Sequence, residues 1–193
     1  INQGNAETKE TGLEIDCKYE NFARGIITRQ NYLIALNKSI ESSIKPTLVH
    51  VYAFEDLPSN DEKVKYNLTN LITKEKLMEL QTNDKEQDMV KRFKEKKIPV
   101  LFTTKCNRGV DFPGDQCKSI IFTKFPNPNA NGIFWKILKQ VHPNYYWEFY
   151  KDKARREFLQ RLYRGLRSKE DHVFVLSPDK RVLDAVRQIN LRR

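Results

Sequence analysis

The stretch from Gln160 to Arg181, QRLYRGLRSKEDHVFVLSPDKR, decides how the rest of the chain is read. Gln160, Arg164 and Arg167 stand four and then three residues apart, a spacing that predicts three side chains on one helix face. The polar run SKED follows, then Val173-Phe174-Val175-Leu176, which reads as a buried strand ending in the turn Ser177-Pro178-Asp179. Two guanidiniums on one face, braced by a strand, suit the oxygens of a triphosphate, because each is a permanent planar cation that forks onto phosphate. A solvated basic face has the same spacing, so this stretch alone leaves both readings open.

Working outward, the block Ile98–Asn129 reads IPVLFTTKCNRGVDFPGDQCKSIIFTKFPNPN. Pro99 ends a helix, Val100-Leu101-Phe102-Thr103-Thr104 makes a strand, and Ser119-Ile120-Ile121-Phe122-Thr123 makes another. Between them lies Arg108-Gly109-Val110-Asp111, in a loop leaving the carboxyl end of a strand, where open α/β sheets bind ligands. Glycine permits close backbone approach there, and an acid behind it accepts hydrogen bonds from ribose hydroxyls. A plain structural turn explains an isolated RGVD equally well. Further upstream, Gln30–Ser43 carries a helical stripe of Leu33, Ile34, Leu36 and Ile40. Pro46 closes that helix, and Thr47–Tyr52 is apolar enough for a buried strand. Leu13, Ile15 and Cys17 alternate with charge, and Gly25–Thr28 reads as a second short extended piece. Residues 1–11 have no apolar period and read as a disordered leader, leaving 12–193 as one domain. The charged segment Leu71–Lys97 includes DKEQDMVKRFKEKK, an amphipathic helix whose docking on a sheet explains it fully. Helix alternating with strand is the rhythm of a parallel sheet covered by helices.

Taken together these blocks resemble the C-terminal motor domain of superfamily 2 helicases of the XPD and DinG-like branch. Gln160, Arg164, Arg167, Ser168 and Asp171 fall in register on the motif VI pattern Q-x-x-G-R-x-x-R-S-x-x-D, with Tyr163 in the place of its glycine. The downstream Asp179-Lys180-Arg181 matches the family's D-x-R. Gly109-Val110-Asp111-Phe112-Pro113-Gly114 resembles motif V, with Arg108 where glutamate is usual, and Phe125-Pro126-Asn127-Pro128 resembles L-P-F-x-x-P. Tyr52-Ala53-Phe54 stands at motif IV, without the family's frequent hydroxyl. The resemblance spans Leu13 to Arg187 and implies a RecA-like α/β fold, a parallel β-sheet flanked by helices, that lacks its own Walker A motif. It implies an ATP-dependent DNA helicase of 5′ to 3′ polarity. ATP and Mg²⁺ would be held mainly by an N-terminal motor domain of the same polypeptide, and single-stranded DNA would run between the two domains. Arg164 and Arg167 would then be arginine fingers, Gln160 would contact the γ-phosphate or orient water, and Gly109 and Asp111 would couple nucleotide to strand. Thr103, Thr104, Lys105, Arg108, Tyr52 and Phe54 are the expected nucleic-acid contacts. The isolated chain is expected to be inactive. The alternative is a non-catalytic nucleic-acid-binding or protein-interaction module on the same fold, which the departures at Tyr163 and Ala53 favour.

Composition bounds these readings. The 193 residues carry a formal charge of +10, which favours a polyanionic partner. The three cysteines, Cys17, Cys106 and Cys117, form no CxxC pair, so neither a disulfide framework nor a zinc site is indicated. The expected setting is reducing, cytoplasmic or, in a eukaryote, nuclear. No apolar run is long enough for a membrane span. No GxxxxGK[ST] occurs, and Asp61-Glu62-Lys63-Val64 follows Pro58-Ser59-Asn60 as a helix start, so it is rejected as a metal-binding DExx box and no metal site is assigned. Aromatics from Phe134 to Tyr150 interleave with Lys136, Lys139, Lys151 and Lys153, which suits base stacking or, more simply, a helical core. Ile1 in place of methionine leads us to expect a piece of a longer polypeptide.

Overall fold

A computed structural model describes residues 4–83, 86–104 and 111–192. Five strands form one wholly parallel sheet: β1 (Asn5–Thr8), β2 (Thr47–His50), β3 (Val100–Thr103), β4 (Ser119–Phe122) and β5 (His172–Leu176), in the order β1-β5-β4-β2-β3. The central strands β2 and β4 are buried at every position. A parallel strand covered on both faces needs apolar residues of both parities, and the pairs Leu48-Val49, Ile120-Ile121 and Val175-Leu176 supply them. Leu48, Ile120 and Val175 turn to a core built with Phe93, Phe158, Leu162, Val182 and Val186. Val49, Ile121 and Leu176 turn to the opposite core, built with Leu33, Leu36, Ile40 and Leu77.

The covering helices follow from that division. On one face lie α5 (Glu86–Lys94), α7 (Pro143–Leu162) and α8 (Lys180–Leu191), and on the other α2 (Arg29–Ser42) and α4 (Lys74–Thr82). The remaining helices are α1 (Tyr19–Ala23), α3 (Asn60–Lys65) and α6 (Ile133–Val141). Thr28 starts α2 through a reciprocal cap with Asn31, and Ser59 does the same for α3 with Glu62. The stripe expected on α2 is buried at Leu33, Leu36 and Ile40, while Ile34 lies on its margin.

Three expectations need correction. Asn5–Thr8 lies within the stretch read as a disordered leader but is edge strand β1, paired with β5 in register Ala6↔Val173. A four-residue edge strand has to bury only one side chain, here Ala6, so its apolar signal is nearly absent. Gly25–Thr28 is a turn leading into the α2 cap rather than an extended stretch, with Gly25 at φ +70°. The helix carrying Gln160 ends at Leu162, before either of the two arginines.

Candidate functional site

The end of α7 sets up the site. Beyond Tyr163 the chain drops onto the sheet, where Gly165 is packed so closely that a Cβ would lie 3.0 Å from Ile120 Cδ1 and Val173 Cγ1. Leu166 is fully buried. A continuing helix would lift these two residues away from the core, so Arg164 and Arg167 stand on a turn ahead of β5 and do not share a helix face. The turn nevertheless brings them together on one carboxylate. Arg164 Nη1 lies 3.7 Å from Asp111 Oδ1, and Arg167 Nε lies 3.3 Å from Asp111 Oδ2. The Arg164 side chain is 11% exposed and that of Arg167 is 50% exposed.

Backbone bonds hold the two segments side by side. Phe112 N–H donates to the Arg164 carbonyl at 2.8 Å. The Asp171 carboxylate accepts from the N–H groups of Arg167 and Ser168, both at 2.7 Å, and of Gly114 at 3.0 Å. Burial opposes the charge on Asp171, but these backbone donors outweigh it and hold the carboxyl below its ordinary range. Phe112 then anchors the segment edge-to-face against Phe93, ring centroids 5.3 Å apart. The arrangement is a pair of guanidiniums sharing one acid, on the segments that lead into β4 and β5. Asp111 stands in the connection leaving β3, the stretch in which it was expected. Arg108, Gly109 and Lys105 lie outside the described residues. Gln160, exposed on the last turn of α7, makes no hydrogen bond to either arginine or to Asp111.

The other expected contacts gather at the carboxyl-terminal ends of β2 and β3. Thr103 is buried and its carbonyl accepts from Val51 N–H at 2.8 Å, while Thr104 Oγ1 accepts from Gln81 Nε2 at 2.7 Å. Tyr52 is 42% exposed, with its hydroxyl donating to the Asn127 carbonyl. Phe54 opens a 3-10 turn and packs on the core beside α2, which makes it a rim residue.

Two buried acids build this end, and only one of them falls on a family motif. Asp56 accepts from Thr123 Oγ1 at 2.9 Å and Ala53 N–H at 3.0 Å, and pairs with Lys124 at 3.1 Å. Asp179 caps α8, accepts from Phe125 N–H at 2.9 Å, and pairs with Arg181 at 2.8 Å. An acid two to four residues beyond an apolar strand was the available signal for both. The aromatic segment forms the hairpin α6–α7, in which Trp135 meets Tyr146, Phe149 and Tyr150 while Phe134, Tyr145 and Trp147 stay exposed.

A wholly parallel sheet between two helical layers, with paired arginines at one end, defines a RecA-like α/β domain of the kind found in helicases. The helicase C-terminal domain family matches residues 36–192, and the chain belongs to that family. Its fold is similar to a solved structure of XPD in the apo form, with TM-score 0.55 and 15% identity over 98% of this chain and 38% of that one. A structure of XPD helicase is similar at TM-score 0.53 and 15% identity, over 97% of this chain and 34% of that one. The chain therefore spans little more than a third of the XPD chains it resembles. No curated protein matches the sequence. Among the described residues no helix is long and apolar enough to cross a membrane.

Proposed function

We propose that this chain works as the second motor domain of an ATP-dependent DNA helicase, closing over a nucleotide held by an N-terminal motor domain of the same polypeptide. The observation that carries the reading is the convergence of Arg164 and Arg167 on Asp111, which joins the motif VI and motif V segments into one cationic unit. With no nucleotide, Asp111 neutralises part of that charge and holds the guanidiniums in place. A γ-phosphate arriving from the other domain competes with Asp111, first for the half-exposed Arg167. Charge growing on the transferring phosphoryl group then draws both arginines more strongly than the ground state does. Gln160, on the last turn of α7, would contact the phosphate or orient the attacking water. ATP with Mg²⁺ is the cofactor this proposal requires. By the helicase resemblance, the other domain would hold the magnesium. Single-stranded DNA would track past Tyr52, Phe54, Thr103, Thr104, Lys105 and Arg108, drawn 5′ to 3′ by cycles of closure.

The test is made in the full-length protein that contains this domain. Arg164→Ala and Arg167→Ala should each lower ATP hydrolysis about a thousandfold while leaving single-stranded DNA binding nearly intact. Equal loss of both activities counts against the assignment. The low exposure of Arg164 favours a second reading, a binding module in which the arginine pair is purely structural. Undiminished hydrolysis in a correctly folded Arg164→Ala protein would select it.

A further inference from the structure

The face formed by α7 and α8 holds a pocket that the arginine pair does not use. Its volume is about 350 Å³, and its floor is apolar, with Phe125, Phe158, Ala185 and Ile189. Three cations, Lys151, Arg155 and Arg192, stand around it with the amides of Asn127 and Gln188, and no acid lines it among the described residues.

The ion pairing along α7 makes this distribution informative. Lys153 and Arg161 both pair with Glu157, and Arg156 pairs with Asp152. Lys151 and Arg155, the two that face the pocket, have no acidic partner, and neither does Arg192 from α8. Helical cations are readily satisfied by acids three or four residues away, so leaving the two pocket-facing cations as the unpaired ones of α7 keeps a net positive potential over an apolar floor. Such a site takes an anion that also carries a flat apolar body. The two amides add directional donors and acceptors suited to the edge of a heterocycle. A volume near the lower end of the range for small-molecule sites, roughly 300–1,000 Å³, limits the occupant to one compact unit.

We infer that the α7–α8 pocket binds a single phosphorylated nucleoside, its phosphate among Lys151, Arg155 and Arg192 and its base over Phe125 within reach of Asn127 and Gln188. The occupant is either a free nucleotide or one unit of a nucleic-acid strand, since both present the same chemistry. This inference does not rest on the motor reading, because the pocket shares no residue with the Arg164–Arg167–Asp111 cluster.

The experiment titrates the whole chain with AMP, adenosine and inorganic phosphate separately, followed by calorimetry and by amide chemical shifts. AMP should bind tighter than either fragment, with shifts centred on Asn127, Ala154 and Gln188. The charge reversals Lys151→Glu and Arg155→Glu alter exposed side chains, so thermal melting should confirm an intact fold. Each should weaken AMP about tenfold, the size expected for one charge-assisted contact. Arg164→Ala and Arg167→Ala should leave AMP affinity unchanged. A short 5′-phosphorylated oligothymidylate that binds more tightly than AMP, with the same sensitivity to Arg155→Glu, assigns the pocket to a strand unit; equal affinity assigns it to the free nucleotide. AMP binding that ignores both charge reversals, that follows Arg164 and Arg167 instead, or that inorganic phosphate matches in strength overturns the inference.

Discussion

Asp171 touches no expected ligand, yet it closes the turn that aims Arg167 and ties that turn to Gly114 across the site. Removing its carboxylate leaves three part-buried N–H groups without their acceptor. Asp171→Ala should therefore lower stability by roughly 2–4 kcal/mol, measurable by urea denaturation, and the stability it contributes is present above the ordinary carboxyl pKa and lost as acid protonates it. His50 acts in the same direction for a different reason. Burial, and then the charge of Arg161, push its pKa down to about 3, while its Nε2 lies 3.2 Å from the Arg161 carbonyl. Below the usual histidine pKa near 6.5 the unfolded chain takes up a proton that the folded chain refuses, so stability falls as pH falls. Between pH 6.5 and 5 the loss should be about 2 kcal/mol, and His50→Asn should flatten that part of the profile.

Among the elements, β1 and the end of α7 depend on glycines whose surroundings exclude a side chain. Gly4 adopts φ +94°, and a Cβ there would lie 2.6 Å from the Asp171 carbonyl oxygen and 2.8 Å from that of Ser168. Gly4→Ala should therefore destabilise the protein by about 1–3 kcal/mol and speed amide exchange along β1 and β5, whereas Gly12→Ala, with open space around it, should leave exchange along those strands unchanged. Both elements show why local pattern fell short. Arg164 and Arg167 keep helical spacing in the sequence, but the backbone leaves the helix at Tyr163 so that Gly165 and Leu166 can seat on Ile120 and Val173. The two guanidiniums meet through Asp111, a residue more than fifty positions away, and not through the helix.

At the scale of the whole molecule, the expected functional residues divide between the turn ahead of β5 and the segments that follow β2 and β3. The arginine pair lies ahead of β5, and Tyr52, Thr103 and Thr104 follow β2 and β3. The isolated chain should show no ATP turnover above background, since no Walker A sequence is present; measurable turnover by the purified chain would refute the division of labour. Its binding to single-stranded DNA should fall steeply with salt, as release of counterions from phosphate requires. A flat salt dependence would instead indicate contacts that do not neutralise phosphates. Strands β2 to β5, the main covering helices, the parallel sheet and the motif residues were determined by the sequence alone, because apolar periodicity and turn residues act within a few positions. The pairing of both arginines with Asp111, the edge strand β1 and the buried acids Asp56 and Asp171 were decided only by the tertiary structure. Each of these joins residues far apart in the chain, and their charges and donors find one another only after the hydrophobic layers have closed.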